Sequence, residues 1–473
     1  MNALDRHVAL VGFMGAGKSS VGAEVAARLE RPFLDVDIEL ERELGSPIAQ
    51  VFAERGEAAF RELEEELTVE ALAEPVPTIL ALGGGAVLSE RVRESLHDRA
   101  LTVFLEVEVE EAWRRAAGPT RPLAQDEEGF RRLYEEREPI YRSVADAAAR
   151  DADAVVLAAA GVAVADLERL GELLPEEAPA ALVSDAHVAG IWGAAAQLAV
   201  GPRLASTHEL PRGEQAKRLD AVQRLWDELA LGRDGTLVAL GGGCTSDAAG
   251  FVAATYLRGI PWVPVPTTLV GQVDAAIGGK TAINLPAGKN LVGAFHWPAR
   301  TLIDPKLLET LPQEQRREGM AEVVKTGLLA GEPFWELEPA RMVARCAAYK
   351  SAVCLRDPYE LGLRAVLNLG HTFAHALEAA GGYDEISHGR AVALGLLAAL
   401  RLSGLGTDAV ESVLAPRPVR VDRERAWAAL GRDKKARGGR IRLVLLEKPG
   451  RPVHDVELPQ DDVRAALDSL IAG

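Results

Sequence analysis

A glycine-rich segment near the start of the chain has the residue types that hold a nucleoside triphosphate. It reads Gly12-Phe-Met-Gly15-Ala-Gly17-Lys18-Ser19 and follows an apolar run at 8–11 that is typical of a buried strand. In such a loop the backbone N–H groups surround the phosphates, the lysine contacts the outer pair, and the hydroxyl group binds Mg²⁺. The segment therefore predicts an ATP site with Mg²⁺ on Ser19, formed by Gly15, Ala16, Gly17, Lys18, Ser19 and Ser20.

A second glycine-rich segment predicts a dinucleotide site. Three glycines at 241–243 follow an apolar strand at 236–240, and a helix is expected from Ser246. Glycines let backbone N–H groups approach a diphosphate closely, and the positive end of the helix favours the same anion. Further along, Lys280 and Lys289 lie on glycine-rich backbone, where we expect them to meet a second anion.

Glutamate and histidine residues in the last third of the chain predict a metal site. His371 and His375 are one helical turn apart, Glu322 precedes them, and His388 follows them. Imidazole and carboxylate groups are common zinc ligands, and three of them leave a coordination position for a substrate oxygen. The spacing alone favours His371 and His375 as joint ligands, because residues four apart share one face of a helix.

The composition is that of a folded, acidic protein. The chain has 473 residues, enough for about three domains, with 48% hydrophobic and 26% charged residues. Its formal net charge of −17 argues against nucleic acid and anionic membranes as partners. Small-molecule substrates are expected instead.

The sequence also predicts a cytoplasmic location. Cys244, Cys346 and Cys354 are too few and too scattered for a disulfide framework. The N-terminal residues lack the pattern of a signal peptide. The longest uncharged apolar run, at 391–400, is too short to cross a bilayer core of about 30 Å as a helix.

The elements that must position these groups form an α/β protein. Apolar strands at 8–11, 33–37, 79–82 and 101–107 alternate with helices, which predicts a parallel sheet with helices on both faces. Alternation along 33–37 places Asp35 and Asp37 on one face at the end of that strand. A second α/β region follows from residue 181, and the chain from 312 onward is mainly helical, with a strand pair near 440–447.

Residues 1 to about 150 combine six features and resemble shikimate kinase. The resemblance implies phosphoryl transfer from ATP to shikimate by a P-loop kinase fold. The features are the loop at 12–19, Asp35 with Asp37, Phe60-Arg61, Gly83-Gly84-Gly85, Arg121-Pro122-Leu123 and Tyr141-Arg142.

The same resemblance implies roles for individual residues. Asp37 is also expected to accept the proton of the hydroxyl group, and two arginines suit the carboxylate of shikimate because each guanidinium pairs with it bidentately. Arg121, in a basic segment expected to form a lid, is assigned to the transferring phosphate, and either Arg114 or Arg115 to adenine. The residues implied for shikimate are Asp37, Arg61, Gly84 and Arg142.

From about residue 154 to the C-terminus the chain resembles 3-dehydroquinate synthase. Seven motifs occur in the order of that family: GGGxxxD, PTTL, VDxxxGGKT, GKNLVGAF, GMAEVVKTG, LNLGHTxxHALE and a late RDKK. The sequence departs from the family pattern at Cys244-Thr245-Ser246, where an aliphatic-Gly pair is usual, and at Ala374, which is often glycine.

This resemblance implies NAD as a cofactor that is reduced and reoxidised within each turnover. It also implies Zn²⁺ or Co²⁺ on Glu322, His371 and His388, which leaves His375 for a substrate phosphate. The residues implied for NAD are Asp185, Glu214, Lys217, Gly243, Cys244, Thr245, Ser246, Asp247, Thr267, Thr268, Lys280 and Lys289.

Substrate contacts are implied in the same way. Asp274 is expected to orient groups near the nicotinamide, and Lys325, Lys350 and Arg364 to contact the carboxylate and hydroxyl groups. The phosphate is assigned to Lys280, Asn290, Asn368, His375 and either Lys434 or Lys435. The residues expected to act in catalysis in the two sites are Lys18, Asp37, Arg121, Asp274, Lys280, Lys325, Lys350, Arg364, Asn368 and His375.

Arg258 is expected to act across a subunit interface. It follows an apolar stretch and precedes Gly259, where an arginine at a helix end is ordinarily exposed. The matching arginine of the synthase family reaches the phosphate site of the partner subunit, which implies a homodimer formed through the second domain.

The sequence as a whole predicts a bifunctional enzyme of the shikimate pathway, a phosphotransferase joined to a carbon–oxygen lyase. The reactions are phosphorylation of shikimate and conversion of 3-deoxy-D-arabino-heptulosonate 7-phosphate to 3-dehydroquinate. Domains are expected at 1–153, 154–311 and 312–473, with 175–179 as an alternative for the first boundary. Two alternatives are another sugar-phosphate cyclase in the second half and a nucleotide-sensing module in the first.

Overall fold

The computed structural model describes residues 3–117, 126–175, 178–382, 385–436 and 440–472, and of residues 432–436 only the backbone. The chain forms two compact units, Met1–Val162 and Ala163–Gly473. The division lies after the boundary predicted near residue 153, because the helix that follows Asp151 packs within the first unit. There Asp153 pairs with Arg28, and the N–H of Ala3 donates to the carbonyl of Ala159.

The first unit is built on a parallel sheet of five strands. The strand order is β2-β3-β1-β4-β5, and every pairing is parallel. The residues of β1, β3 and β4 are buried, as expected for a parallel sheet covered on both faces. The strands are β1 (His7–Val11), β2 (Phe33–Asp35), β3 (Ile79–Ala81), β4 (Ala100–Leu105) and β5 (Ala147–Ala149).

Seven helices accompany this sheet in the residues that the structure describes. The second strand ends at Asp35, so Asp37 lies in the first turn of a helix and the prediction of two carboxylates on one strand face is wrong. The Asp35 carboxylate accepts hydrogen bonds from the N–H groups of Asp37 and Ile38, which caps the helix and ends the strand. The helices are α1 (Lys18–Leu29), α2 (Val36–Leu44), α3 (Ile48–Ala73), α4 (Glu90–Arg99), α5 (Val109–Ala116), α6 (Glu127–Val144) and α7 (Ala152–Ala159).

The second unit begins with another parallel sheet, of strand order β10-β9-β7-β8. Strands β11 and β12 form an antiparallel hairpin, β14 and β15 form another, and β6 pairs with β13. The strands are β6 (Val162–Val164), β7 (Ala180–Asp185), β8 (Leu204–Leu210), β9 (Thr236–Gly241), β10 (Trp262–Pro266), β11 (Lys280–Leu285), β12 (Gly288–Phe295), β13 (Thr301–Ile303), β14 (Leu443–Lys448) and β15 (Arg451–Val456).

The helix after the second glycine run begins at Gly243, earlier than predicted, because Gly242 itself is the N-cap. Within the described part of this unit there are twelve helices, and most of them follow residue 312, as predicted. They are α8 (Leu170–Leu173), α9 (Ala186–Val188), α10 (Ala194–Val200), α11 (Leu219–Glu228), α12 (Gly243–Thr255), α13 (Gln313–Ala330), α14 (Pro339–Arg356), α15 (His371–Ala380), α16 (His388–Leu402), α17 (Asp408–Leu414), α18 (Arg423–Ala436) and α19 (Gln460–Asp468).

Short turns of other helix types connect these elements. The 3₁₀ turns are Ala86–Leu88, Leu167–Arg169, Gly201–Arg203, Gly213–Lys217, Tyr256–Arg258, Pro305–Thr310, Phe334–Glu336 and Leu363–Asn368, and the π turns are Ala189–Gly193 and Gly271–Ala275. The segment at 213–217, which contains Glu214 and Lys217 of the predicted NAD residues, is a 3₁₀ turn that precedes α11.

The helical region has an apolar core in which α15 and α16 lie unusually close together. A side chain at Gly395, in α16, would collide with the carbonyl oxygen of Gly370, the N-cap of α15. Both helices are lined by buried apolar residues such as Leu377 and Leu396. The close approach fixes the start of α15 against the middle of α16.

The three cysteines are unpaired, in agreement with the sequence prediction. Cys346 and Cys354 are buried, and Cys244 is partly buried. In the part of the chain that the structure describes, no helix combines the length and the apolar character needed to cross a membrane.

Candidate active sites

The glycine-rich loop between β1 and α1 is shaped to surround an anion. Gly15 and Gly17 adopt positive φ angles of 81° and 91°, which are favourable for glycine and turn the backbone into the start of α1. The Lys18 ammonium donates to the carbonyl oxygens of Gly12 at 2.8 Å and Phe13 at 3.2 Å, so it lies over the loop. The backbone N–H groups, the helix N-terminus and the Lys18 ammonium group therefore lie around one place, where an anion can bind.

A cavity of about 520 Å³ extends from this loop. It brings together most of the residues predicted for ATP and shikimate, whereas Ala16 lies within the loop and is buried. The predicted residues that line the cavity are Gly15, Gly17, Lys18, Ser19, Ser20, Asp37, Arg61 and Gly84.

Arg61 is held in this cavity by two carboxylates of its own helix. Its guanidinium donates to Glu64 at 2.6 Å and to Glu57 at 3.0 Å. Glu64 is 2% exposed, and burial raises the pKa of its carboxyl group although Arg61 opposes the shift. Side chains at Gly83 and Gly85 would collide with Glu64 and Arg61 respectively, so the predicted glycine turn makes room for this ion pair.

The structure places a different arginine in the cavity from the one predicted. Arg142 pairs with Glu106 and Glu138 at the surface, both at 2.9 Å, and is not among the residues that line the cavity. Arg137 lines it instead and is 7% exposed. Arg137 precedes Tyr141 by one turn of α6, and both side chains donate to the carbonyl of Gly84.

The sequence did not decide between Arg114 and Arg115 as the residue for adenine, and the structure places them differently. Arg115 lines the cavity, and its guanidinium donates to the carbonyl of Gly15 at 3.4 Å. Arg114 is exposed and does not line it. Arg121 lies outside the described residues.

In the second unit, a cavity of about 220 Å³ lies at the carboxyl ends of the parallel strands. The carboxyl ends of the strands are where α/β sheets bind nucleotides. His187, Trp192 and Gln315 are among the lining residues that the sequence did not single out. The predicted NAD residues that line the cavity are Asp185, Gly243, Cys244, Thr245, Thr267 and Thr268.

One buried hydroxyl group predicted for NAD lies beside this cavity without lining it. Ser246 is 1% exposed, and its Oγ has no hydrogen-bond partner among the residues described. Its neighbours Cys244 and Thr245 line the cavity, whereas Ser246 does not. Its position in the first turn of α12, at the positive end of the helix, suits the diphosphate of NAD.

The other charged residues predicted for NAD form two linked ion pairs. The Lys217 ammonium contacts Asp247 at 2.5 Å, and Lys289 contacts Glu214 at 3.0 Å. Lys217 also donates to the side-chain oxygen of Asn290. The structure therefore places Asn290 with the predicted cofactor residues, although the sequence assigned it to the phosphate of the substrate.

The metal cluster forms around one buried carboxylate. The Oε1 atom of Glu322 lies 3.5 Å from Nε2 of His371 and 3.3 Å from Nε2 of His388. All three ligand atoms lie within 4.8 Å of one another. Burial lowers the pKa of His371 to about 3, so its imidazole is neutral and available as a ligand.

This donor set fits Zn²⁺ or Co²⁺. Two imidazoles and one carboxylate supply three protein ligands and leave a position for substrate. Both carboxylate oxygens of Glu322 are buried and accept no hydrogen bond of good geometry within the described part of the chain, although Lys325 forms an ion pair with Oε2. His375, which the spacing alone paired with His371, lies outside the cluster.

A set of buried charges lies beside the metal cluster. Lys350 contacts the Asp274 carboxylate at 2.7 Å, and Lys325 lies 3.6 Å from the same oxygen. Burial opposes ionisation of Asp274, but the two lysines outweigh it and lower its pKa to about 2. Lys325 is 2% exposed, and burial opposes its charge too, but Glu322 and Asp274 raise its pKa. Asp274 and Lys325 are therefore fixed in their charged forms.

Arg364 is almost completely buried, at 1% exposure. Its guanidinium donates to the carbonyl oxygens of Gly278 and Pro358, both at 2.9 Å. The Nε–H group is buried and has no acceptor among the residues that the structure describes.

Lys280 and Asn368, both predicted to bind phosphate, face a carboxylate of the same chain. The Lys280 ammonium lies 2.5 Å from Oε2 of Glu360, and the Asn368 amide donates to Oε1 at 3.5 Å. Glu360 adopts a left-handed backbone conformation with φ 57°, which is uncommon for glutamate. A negative group thus stands between two predicted phosphate ligands.

The remaining predicted residues are placed as follows. His375 and Asn368 line a small cavity of about 70 Å³ together with Arg442 and His454 of the second hairpin, which the sequence did not single out. Arg258 is exposed, with φ 69°. The side chains of Lys434 and Lys435 lie outside the described residues.

Comparison with known proteins identifies three family models along the chain. Residues 14–167 match shikimate kinase. Residues 207–318 match the N-terminal part of 3-dehydroquinate synthase, and residues 319–435 match its C-terminal part.

Curated relatives and solved structures agree with these matches. The 3-dehydroquinate synthase of Symbiobacterium thermophilum is 42% identical over 63% of this chain and 92% of its own length. That of Bordetella pertussis is 41% identical over 64% and 93%.

Two solved structures share the fold of the second unit. A 2-deoxy-scyllo-inosose synthase complexed with carbaglucose-6-phosphate, NAD⁺ and Co²⁺ has a TM-score of 0.58 and 26% identity, over 66% of this chain and 96% of that one. A 2-epi-5-epi-valiolone synthase from Streptomyces hygroscopicus with NAD⁺ and Zn²⁺ has a TM-score of 0.58 and 28% identity, over 65% and 95%. With the site geometry, these findings show that the chain belongs to the 3-dehydroquinate synthase family and carries a shikimate kinase domain fused in front of it.

Proposed function

We propose that the chain catalyses two reactions of the shikimate pathway, which supplies chorismate and the aromatic amino acids. The first unit transfers a phosphoryl group from ATP to shikimate and forms shikimate 3-phosphate. The second unit converts 3-deoxy-D-arabino-heptulosonate 7-phosphate to 3-dehydroquinate and phosphate. The observation that supports the second reaction best is the convergence of Glu322, His371 and His388 beside buried lysines. The first is supported by the single cavity that the glycine-rich loop at 12–19 shares with Arg61, Arg115 and Arg137.

In the kinase site the chain supplies position and charge. ATP with Mg²⁺ supplies the phosphoryl group, and Lys18 and Ser19 would hold its phosphates and metal. Arg61 and Arg137 face the same cavity, so their guanidinium groups would hold the carboxylate of shikimate from two sides. Asp37 lines the cavity between the loop and the arginines, where its carboxylate would accept the proton of the attacking hydroxyl group.

In the synthase site NAD would supply reversible hydride transfer, and Zn²⁺ or Co²⁺ would acidify a substrate hydroxyl group. Glu322, His371 and His388 would hold the metal, and the cavity around Gly243 and Thr268, with Ser246, would hold NAD. The contacts that Lys325 and Lys350 make with Asp274 fix two ammonium groups beside the metal cluster. These ammonium groups would hold substrate oxygens in place during the reaction.

The substrate phosphate is proposed to bind at Lys280, Asn368 and His375. The Glu360 carboxylate contacts Lys280 and Asn368, so the phosphate must displace this carboxylate before it can bind. Burial lowers the pKa of Lys280, and Glu360 opposes that shift. An incoming phosphate would replace Glu360 as the group that keeps Lys280 charged.

A carboxylated substrate is favoured over the other sugar phosphates that related cyclases use. The buried Nε–H of Arg364 has no acceptor in the described part of the chain, and Lys350 is buried close by. Unmet buried donors are costly, so they indicate a ligand group that accepts their hydrogen bonds. A substrate carboxylate would accept this hydrogen bond, whereas a sugar phosphate such as sedoheptulose 7-phosphate has no carboxylate to offer Arg364.

An NMR assay separates these substrates. The purified chain, with NAD and Zn²⁺, is incubated with 3-deoxy-D-arabino-heptulosonate 7-phosphate or with sedoheptulose 7-phosphate, which lacks the carboxylate. We expect phosphate release and a new carbocycle only with the first. Turnover of sedoheptulose 7-phosphate alone would make the second unit a different cyclase.

The kinase proposal is tested by ADP release with and without shikimate. We expect release that depends on shikimate. Release that is equally slow in both cases would favour a module that senses nucleotide without transferring phosphate.

Metal removal tests the assignment of metals to the two units. We expect a chelator to abolish synthase activity and Zn²⁺ or Co²⁺ to restore it, with kinase activity returning once Mg²⁺ is supplied. His388→Ala is expected to reproduce the loss. Full zinc occupancy in that variant would exclude His388 as a ligand.

We further propose that the second unit forms a homodimer and that the enzyme acts in the cytoplasm. Leu257 and Arg258 both have positive φ angles, 51° and 69°, and such strain, about 1–3 kcal/mol per residue, persists where surroundings or function require it. Leu257 is exposed, Gly259 lies against His296, and neighbouring β12 exposes Leu291 and Phe295. A second copy seated here would cover these apolar side chains and receive Arg258 in its phosphate site.

A further inference from the structure

Helix α15 carries a third ionisable residue, Glu378, which has no role in the sites described above. His371, His375 and Glu378 occupy positions that share one face of the helix, because residues four and seven apart align. Glu378 is 7% exposed in a helix whose other buried residues, such as Phe373 and Leu377, are mostly apolar. A carboxylate buried among apolar side chains requires a partner.

That partner is a metal ligand. The Oε1 atom of Glu378 lies 3.1 Å from Nδ1 of His388, and Nε2 of the same ring lies 3.3 Å from Oε1 of Glu322. The imidazole of His388 is therefore held between two carboxylates, one of them a metal ligand and the other not.

The second histidine of the cluster is held in a parallel way. Nδ1 of His371 lies 3.2 Å from the carbonyl oxygen of Leu369, and its Nε2 lies 3.5 Å from Glu322. In both rings an oxygen fixes the proton on Nδ1 and leaves Nε2 for the metal. The difference is that His371 uses a neutral carbonyl group and His388 uses a carboxylate.

The two histidines also differ in packing, which explains why His388 needs the stronger partner. The side chain of His371 is 11% exposed, whereas that of His388 is 42% exposed at the first residue of α16. Packing restrains the ring of His371, but it restrains only part of the His388 ring. A charged acceptor forms the stronger hydrogen bond and supplies the missing restraint.

A separate glutamate holds the backbone at the same point. Glu318 lies one turn before Glu322 in α13, and its carboxylate accepts from the Ser387 hydroxyl at 2.6 Å and from the Gly389 N–H at 2.7 Å. Glu318 therefore fixes the start of α16 without contacting the imidazole. Backbone position and ring orientation are controlled by different residues.

We propose that Glu378 is a positioning residue for the metal: it holds His388 in the Nδ1–H tautomer and turns Nε2 toward the ion. Because its charge also increases the basicity of the ring, it strengthens the metal–nitrogen bond. The inference rests on the proposed metal site, and it adds a residue that contacts neither the metal nor the substrate.

The test is zinc affinity, measured by competition with a chromogenic chelator, and the visible spectrum of the Co²⁺-loaded protein. We expect Glu378→Ala to bind zinc about 10- to 100-fold more weakly and to change the cobalt spectrum. Glu378→Gln keeps an oxygen that accepts from Nδ1–H but loses the charge, so a smaller loss is expected. Its similar volume also guards against misfolding, which circular dichroism checks.

Glu318→Gln is the matched control, because it removes a neighbouring carboxylate and leaves the ring paired. We expect it to lower thermal stability, with zinc affinity near that of the original chain. Unchanged zinc affinity and cobalt spectrum in both Glu378 variants would overturn the proposal, as would an equal loss in Glu318→Gln. If the unaltered chain binds no stoichiometric zinc, the metal site itself is wrong, which is a distinguishable result.

Discussion

The two active sites of this chain are assembled in different ways. In the kinase cavity, Arg61 is held by Glu57 and Glu64, each within one helical turn, and the P-loop is one continuous segment. In the synthase site, partners come from distant segments: Lys350 with Asp274, and His388 with both Glu322 and Glu378. A site of the first kind depends mainly on its own segment, whereas a site of the second kind depends on how whole helices pack.

The variant with the largest expected effect, Lys18→Ala, tests whether the two sites are independent. Lys18→Ala removes the ammonium that lies over the P-loop, and we expect kinase kcat to fall by about 10²–10³-fold because charge stabilisation of the transferring phosphate is lost. Synthase activity, measured by phosphate release, is expected to stay unchanged. A fall in both activities in a folded protein would contradict independence.

Mixing two inactive variants tests whether the synthase site, unlike the kinase site, needs a residue from a second chain. Arg258→Ala and Lys280→Ala are each expected to be nearly inactive as synthases. After subunit exchange, half of the dimers carry one intact site, so we expect activity to return to about a quarter of the original.

Subunit exchange must be demonstrated separately, for example with differently tagged chains. Exchange without recovery would place Arg258 in the site of its own chain or outside the site.

A pair of arginine variants tests the acceptor side of the kinase cavity. Arg137→Lys replaces a buried fork with a single ammonium, and we expect KM for shikimate to rise by about 10-fold or more, given about 1.5–3 kcal/mol for a charged hydrogen bond. Arg142→Lys is the control, because Arg142 does not line the cavity and forms its ion pairs, with Glu106 and Glu138, at the surface. A larger effect at Arg142 would restore the role predicted from the sequence.

The smallest expected effect concerns the carboxylate that faces the phosphate ligands. Glu360→Gln removes the charge that competes with substrate for Lys280, and we expect KM for the heptulosonate phosphate to fall by about two- to fivefold, as for a partly exposed ion pair. Steady-state kinetics at constant ionic strength measures this change. A rise in KM would show that Glu360 contributes to binding instead of opposing it.

The sequence was most informative where one continuous segment makes the site. The P-loop was predicted from its residues and their spacing. The glycines at 83–85 and the 3-dehydroquinate synthase motifs were interpreted through their resemblance to the two families, and the two family domains are confirmed. Local periodicity was less reliable at element boundaries. Asp37 was placed on a strand because alternation continues through 33–37, but the cap made by Asp35 ends that strand.

The rotation from one residue to the next along α6 explains why the sequence pointed to Arg142 and not to Arg137. Arg137 and Tyr141 are four residues apart, so they share the face of α6 that reaches Gly84. Arg142 is the next residue and is rotated by about 100°, which turns it toward Glu106 and Glu138. The sequence Arg-Glu-Pro-Ile-Tyr places Arg137 and Tyr141 on one face of α6. Only the position of Gly84 in the structure shows that this face borders the cavity.

Spacing also left the metal ligands undecided. His371 and His375 share a helix face, yet periodicity within one helix says nothing about which other elements come near it. In the proposed metal site, the second histidine comes from the start of α16, and the carboxylate comes from α13. Asn290 is a similar case, because its contact with Lys217 depends on the shape of a hairpin.

The close contact between Gly370 and Gly395 makes the metal centre sensitive to a residue that touches none of its ligands. Gly395 lies about two turns along α16 from His388, and Gly370 immediately precedes His371. Any β-carbon at position 395 would press on the Gly370 carbonyl and force the two helices apart. The separation of the two imidazoles is therefore set by the absence of a side chain, and even alanine at this position would change the geometry available to an ion.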